Sequence, residues 1–198
     1  MSVAILLGKK DPSPRNRSLF LTEDDLKTFS ELDRLERFSA RPLSLSDFQN
    51  RIFNNPCQDG LALLQDRSID LVVADPPYNI GKDYGVGSLA RMSKRDYERW
   101  AEEWIAEAAR VLKRTGSLYV CCDWESSGLY QRLLERHLKV KNRITWRREK
   151  GRGARRNWKN NLEDIWFAVA SEDYTFNLNA VKLRKSVIAP YRDTAGRP

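Results

Sequence analysis

Residues 69–79, Ile-Asp-Leu-Val-Val-Ala-Asp-Pro-Pro-Tyr-Asn, join an apolar run directly to a pair of prolines. The first six residues are rich in β-branched side chains, which is typical of a strand buried inside a sheet. The two prolines lack backbone N–H groups and hold the chain extended, so they interrupt the hydrogen bonding of the sheet. The sequence therefore predicts a buried strand over 69–74 that ends in a rigid turn.

Strand-like and helix-like stretches alternate around this segment. Their apolar patterns predict three helices, over residues 60–65, 97–112 and 126–138. They also predict four further strands, over residues 51–53, 117–122, 144–146 and 165–170. Gly116 is expected to end the second of these helices. The alternation predicts an α/β fold with a doubly wound, Rossmann-like sheet and helices on both faces, in which ligands bind beyond the carboxyl ends of the strands.

The chain of 198 residues has room for one such domain. Residues 1–20 show almost no hydrophobic periodicity and predict a flexible arm, and apolar residues at three-residue spacing predict a helix over 23–37. We therefore divide the chain into an N-terminal arm and helix, residues 1–49, and an α/β part, residues 50–198.

The cysteine and histidine content excludes several kinds of site. Cys57, Cys121 and Cys122 lack the paired spacing of a zinc site or a disulfide framework, so reduced thiols and no metal are expected. His137 is the only histidine, which argues against Ser-His-Asp and Cys-His chemistry. No apolar run approaches the roughly 20 residues of a membrane span, and the N-terminus lacks the pattern of a signal peptide. The expected location is cytoplasmic, with no membrane partner.

The turn after the first long strand carries groups that suit an exocyclic amine on a planar ring. Asp75 offers a carboxylate, and Pro76 offers a carbonyl without a local amide partner. These two groups can accept the two N–H bonds of the amine while Tyr78 stacks on the ring. Such a site would act by positioning and electrostatics. The alternative interpretation is a plain strand-ending turn, for which Pro-Pro pairs are common.

A dense basic segment lies between residues 141 and 159, where nine Lys and Arg side chains accompany one acid in a chain of net charge +8. Trp146 and Trp158 interleave with the basic residues, which favours a polyanion-binding surface over a plain solvated face. The side chains predicted to form this surface are Arg147, Arg148, Arg152, Arg155, Arg156 and Lys159.

Residues 75–81, Asp-Pro-Pro-Tyr-Asn-Ile-Gly, resemble the catalytic motif of the DNA amino-methyltransferases, which transfer a methyl group from S-adenosylmethionine to adenine N6 or cytosine N4. The resemblance covers about residues 50–198 and is to the group in which the catalytic motif precedes the cofactor motif. Four further segments follow in the order that the family has, at residues 116–120, 144–146, 161–170 and 174–177.

The resemblance implies a role for each residue of the turn. Asp75 and the Pro76 carbonyl hold the target amine, and Asp75 also contacts the cofactor. Pro77 is the rigid link to Tyr78, which stacks on a base flipped out of the duplex. An aspartate in first position is more usual in adenine-specific members of the family. The implied cofactor is S-adenosylmethionine and the implied partner is double-stranded DNA, whose phosphates the basic segment contacts.

The chain departs from the family pattern in three places. Asn55 and Pro56, the expected cofactor contacts, stand where the family often has an acidic residue, and Leu162 stands before Glu163 in place of a histidine. The glycine-rich cofactor signature, Phe-x-Gly-x-Gly, is missing. The glycines of 85–88 and 151–153 do not follow a strand and open a helix as a cofactor loop does. Residues 81–88 are instead expected to form a loop that closes over the base, or a plain surface loop.

We therefore expect an incomplete methyltransferase sheet that lacks the cofactor half. The leading hypothesis is a DNA adenine N6-methyltransferase of the restriction-modification type. Its cofactor motif would come from a second polypeptide, from a downstream region or through a homodimer. The alternatives are an inactive DNA-binding remnant, half of a split enzyme, and methylation of cytosine N4 or of RNA. The recognition sequence is not predicted, since base readout depends on a recognition region that is largely absent.

Overall fold

The computed structural model describes residues 43–53, 55–80, 91–152 and 160–182, together with the single positions 23, 24, 27, 156, 158, 194 and 195. The strands are β1 (Ile69–Ala74), β2 (Leu112–Cys122), β3 (Lys139–Arg152) and β4 (Asn160–Val169). The helices are α1 (Leu45–Phe48), α2 (Cys57–Ala62), α3 (Lys94–Val111), α4 (Trp124–His137) and α5 (Leu178–Val181).

The four strands form one mixed sheet in the order β1-β2-β4-β3. β1 runs parallel to β2, and β4 runs antiparallel to both β2 and β3. The sheet therefore contains one parallel pair, with α3 as its crossover helix, and one antiparallel hairpin. Between β3 and β4 only seven residues remain, which is too short for a crossover, so the two strands return antiparallel.

The two long helices pack together on one face of the sheet. Leu118 and Val120 of β2 and Ala168 of β4 face this side and are fully buried against them. The sequence predicts helices on both faces, and in the described residues both long helices lie on this one face. On the opposite face, Leu71 and Val73 of β1 are 55% and 66% exposed. The prediction of a buried strand over 69–74 is therefore wrong in its burial, because β1 is an edge strand of the described sheet and none of its residues is buried.

Several predicted boundaries differ from those of the structure. Residues 51–53 are not a strand of the sheet; Phe53 forms only an isolated bridge. The prediction that Gly116 ends a helix is also wrong, because Gly116 lies inside β2. α3 begins earlier than predicted because the Ser93 hydroxyl accepts the Asp96 N–H at 3.1 Å and caps the helix. Most of the predicted helix 23–37 and all of the arm 1–20 lie outside the described residues.

The core is built mainly from the apolar stripe of α3 and the facing side of α4. Trp104 and Ile105 of α3 are buried, and Tyr130 and Leu133 of α4 are fully buried against them. Trp100 stacks on Tyr97 with 5.4 Å between ring centroids. This core holds the helices against β1 and β2 and so fixes the position of the turn that follows β1. None of the described helices is both long and apolar enough to cross a membrane.

Gly116 allows β1 and β2 to approach closely. A Cβ atom at this position would lie 2.9 Å from the Lys113 carbonyl oxygen and 3.1 Å from that of Ile69, both of which are backbone atoms. We expect Gly116→Ala to lower the free energy of unfolding by about 1–3 kcal/mol, measured by urea denaturation. Gly128→Ala is the matched control, because its Cβ would meet nothing nearer than 3.9 Å and alanine favours the helix. Equal stability of the two variants would contradict this account.

Candidate functional site

The turn at 75–79 projects from the carboxyl end of β1, where the sequence predicts a ligand site. The Asp75 side chain is exposed, whereas Pro76, Pro77 and Tyr78 are partly buried. The Tyr78 hydroxyl donates to Asp75 Oδ1 at 3.4 Å, and the Ile80 N–H donates to the Tyr78 carbonyl at 2.8 Å. The turn thus presents a carboxylate, a carbonyl and an aromatic ring within one short stretch.

Two side-chain contacts hold this turn against α3. The Asn79 amide exchanges two hydrogen bonds with the backbone of Met92: its nitrogen donates to the Met92 carbonyl at 3.0 Å, and its oxygen accepts the Met92 N–H at 2.7 Å. The Tyr97 hydroxyl donates to the Pro77 carbonyl at 3.0 Å. No local sequence pattern predicts either contact, because the bonded residues lie 13 and 20 positions apart in the chain.

Glu163 of β4 is an acidic neighbour of the turn, and in the sequence it stands out only as part of a departure from the family pattern. Its side chain is 14% exposed and pairs with Arg148 of β3 at 2.7 Å. Burial, then the negative charges of Glu163 and Asp75, raise the pKa of the Tyr78 phenol well above its ordinary value. Tyr78 therefore stays neutral and keeps its proton and its full ring face at physiological pH.

The cysteine thiols beside the turn are unreactive at neutral pH. Cys121 and Cys122 end β2 next to the carboxyl end of β1. Burial raises the pKa of the Cys122 thiol to about 12, and burial together with Asp75 and Glu163 also raises the pKa of Cys121. Neither thiol forms appreciable thiolate at neutral pH. Within the described ranges, no group of His, Cys, Asp and Glu side chains is arranged to hold a metal ion.

The predicted basic surface is only partly described. Arg147 and Arg156 are exposed, whereas Arg148 is engaged by Glu163. Arg152 ends β3, and its side chain is not described. Arg155 and Lys159 lie outside the described residues. Arg148 thus differs from Arg147 and Arg156, the other described side chains of this surface, in having an acidic partner.

The described residues do not form a complete site for a nucleoside cofactor. Asn55 is partly buried and Pro56 is the exposed residue that precedes α2. None of the described glycines joins the end of a strand to the start of a helix, which is the geometry that cradles such a group. The glycines of 81–88 lie outside the described residues. The described residues instead present a set of hydrogen-bond acceptors around Asp75.

A cavity of about 330 Å³ opens behind the turn, between the N-termini of α3 and α4. Asn79, Tyr97, Asp123 and Arg132 are among the residues that line it. Asp75 and Tyr78 do not line this cavity, so a ring held by these two residues approaches from the exposed side of the turn.

Comparison with known proteins identifies the family. The family model of the N6 and N4 DNA methylases matches residues 69–188. The chain belongs to this DNA methylase family. The match begins at β1, includes the whole turn, and confirms the resemblance drawn from residues 75–81. Members of this amino-methyltransferase family take their methyl group from S-adenosylmethionine.

Individual relatives of this DNA methylase support the same assignment. The type II methyltransferase M.HpaI of Haemophilus parainfluenzae is 33% identical over 123 residues, which cover 61% of this chain and 39% of that protein. The DNA adenine methyltransferase YhdJ of Escherichia coli is 30% identical over 147 residues, which cover 73% of this chain and 50% of that protein. The DNA methylase chain therefore spans half or less of the length of these two relatives.

A solved structure confirms the predicted fold class of the DNA methylase. The cytosine-N4-specific PvuII DNA methyltransferase superposes with a TM-score of 0.50 at 14% identity, over 63% of this chain and 50% of that chain. At this identity the likeness concerns the fold alone, a Rossmann-like α/β methyltransferase sheet.

Proposed function

We propose that this chain supplies the base-binding half of a DNA adenine N6-methyltransferase. The observation that carries the proposal is the position of Asp75, Pro76 and Tyr78 at the carboxyl end of β1, with the Asp75 carboxylate exposed. The N6 amine of adenine has two N–H bonds, which the Asp75 carboxylate and the Pro76 carbonyl accept. Tyr78 stacks on the ring, and this requires a base that has left the duplex.

The amine held in this way becomes a better nucleophile without a covalent enzyme intermediate. Two acceptors fix the amine group in place and orient its nitrogen. The Asp75 carboxylate also favours the positive charge that develops on the nitrogen as it is methylated. The described residues hold the base and not the whole cofactor, so we propose that the glycine-rich cofactor segment comes from polypeptide outside them, such as a second chain or a partner copy.

Adenine is the preferred target for two reasons. An aspartate begins the motif, as in adenine-specific members, and YhdJ carries the name of an adenine methyltransferase at 30% identity. Cytosine N4 is the second candidate, because its amine presents the same two N–H bonds and the PvuII enzyme is named as cytosine-N4-specific. Double-stranded DNA is the proposed partner, bound through exposed arginines such as Arg147 and Arg156.

Binding of a single unpaired base tests the proposal without the cofactor. The full chain is titrated with short duplexes that contain one unpaired adenine, one unpaired cytosine, or one unpaired purine base that lacks the amine. An unpaired base costs little to flip. We expect adenine to bind about tenfold more tightly than the amine-free base, as two hydrogen bonds of modest net strength imply.

In the Asp75→Ala chain the adenine preference should fall to about threefold or less, because only the Pro76 carbonyl still accepts from the amine. Equal binding of all three duplexes by the parent chain would overturn the proposed function. A preference for cytosine over adenine would replace adenine with the second candidate.

A further inference from the structure

Two buried tyrosine hydroxyls form a column behind the turn. The Tyr97 hydroxyl lies 3.0 Å from the Pro77 carbonyl oxygen and 2.9 Å from the Tyr130 hydroxyl. Tyr97 is 3% exposed and Tyr130 is fully buried. The two rings meet edge to face, with 6.4 Å between their centroids. The column therefore runs from α4, through α3, to the backbone of the turn.

The direction of these hydrogen bonds follows from counting protons. A carbonyl oxygen only accepts, so the single Tyr97 proton points at Pro77. The Tyr97 oxygen must then accept from Tyr130, which donates. Burial, and then the neighbouring Tyr97, raise the pKa of Tyr130 well above its ordinary value, so Tyr130 keeps the proton that it donates. The chain of donation is Tyr130 to Tyr97 to Pro77.

A hydrogen bond to the Pro77 carbonyl constrains the backbone of the turn. The proline ring fixes φ of Pro77, so ψ is its one free backbone torsion. The orientation of the carbonyl reports this ψ, and ψ sets the direction in which Tyr78 leaves the turn. A hydrogen bond that fixes the Pro77 carbonyl therefore limits where the Tyr78 backbone, and with it the ring, can lie relative to the Pro76 carbonyl.

We propose that Tyr97 and Tyr130 are positioning residues that set the angle between the amine acceptors of the turn and its stacking ring. They are buried behind the turn, and they act through the backbone of Pro77. The inference rests on the proposed function for the role of the turn. The hydrogen bond from Tyr97 to Pro77 does not depend on that function. A purely structural role for these tyrosines makes a different prediction, in which their hydroxyls affect stability alone.

Phenylalanine variants of the full chain distinguish the two roles. Tyr97→Phe and Tyr130→Phe each remove one hydroxyl and leave the ring in the core. Tyr119→Phe is the matched control, because Tyr119 stacks on Phe167 at 4.7 Å, on the opposite face of the sheet from the column. For each variant we would measure stability in urea, amide hydrogen exchange at residues 78–80, and the ratio of affinities for unpaired adenine and the amine-free base.

We expect Tyr97→Phe to accelerate exchange at residues 78–80 by about tenfold, since removing a hydrogen bond frees the turn. The same variant should reduce the adenine preference to about twofold or less. Tyr130→Phe should have a smaller effect on both, because Tyr97 keeps its proton and its bond to Pro77. Tyr119→Phe should leave both values at those of the parent.

Two results would overturn the inference: parental exchange at residues 78–80 in Tyr97→Phe, or faster exchange with an unchanged adenine preference. If the parent itself shows no adenine preference, the proposed function fails, and the exchange data alone decide whether the tyrosine column holds the turn.

Discussion

Asp75→Ala should reduce methyl transfer by at least about 100-fold in an enzyme that carries this chain's base-binding half, because the amine loses its charged acceptor. A suitable enzyme is a chimera in which residues 43–182 replace the segment of Escherichia coli YhdJ that matches this chain. Transfer of a labelled methyl group from S-adenosylmethionine to unmethylated DNA gives the rate. Digestion to nucleosides then identifies the methylated base, which we expect to be adenine.

The control for this experiment is Asp70→Ala. Asp70 lies on the same strand, is exposed, and pairs with Lys113 at 2.7 Å on the surface. Exposed pairs contribute at most about 1 kcal/mol to stability, and Asp70 lies at the opposite end of β1 from the turn. The Asp70→Ala chimera should therefore keep its activity. An Asp75→Ala chimera as fast as its parent would remove the carboxylate from the mechanism.

The sequence predicts β1 and its turn because both depend on local chemistry. A run of β-branched residues favours a strand, and two prolines end the ladder wherever they stand. The burial predicted for this strand is not found, because β1 lies at the edge of the described sheet. The helix periods of α3 and α4 are equally local, which explains why the sequence predicts both helices to within three residues of their ends. Candidate site residues that lie close together in the chain can therefore be predicted from the sequence.

The rest of the site depends on contacts between distant residues. The sequence predicts β3 only over 144–146, because residues 142–147 are exposed and show no alternation; their pairing with β4 makes them a strand. The Tyr97–Tyr130 hydrogen bond joins residues 33 apart, and no local pattern marks it. No local pattern marks the ion pair of Arg148 and Glu163 either. This pair places Arg148, a residue of the basic segment, near the turn.

Duplex DNA should bind this chain with an affinity that falls steeply with salt. Replacing Arg147, Arg152, Arg155 and Arg156 together by alanine should lower the affinity at low salt on the order of 1000-fold, at about 1 kcal/mol or more for each phosphate that these side chains bind. The slope of log affinity against log salt should fall by about 0.9 for each phosphate that is no longer neutralised. Fluorescence anisotropy across a salt series measures both quantities. Unchanged low-salt affinity would mean that the basic segment is a solvated face.

Arg148→Ala provides the internal comparison for that series, and its expected result is different. Arg148 is held by Glu163, so its charge is already compensated and releases few counterions from DNA. Its removal should leave the salt slope nearly unchanged and lower the free energy of unfolding by about 1 kcal/mol, since Glu163 is left without its partner. The pair also lies beside Tyr78, on which Glu163 acts electrostatically. A salt slope reduced by about 0.9 in Arg148→Ala, as for a phosphate no longer neutralised, would show that DNA displaces Glu163 from Arg148.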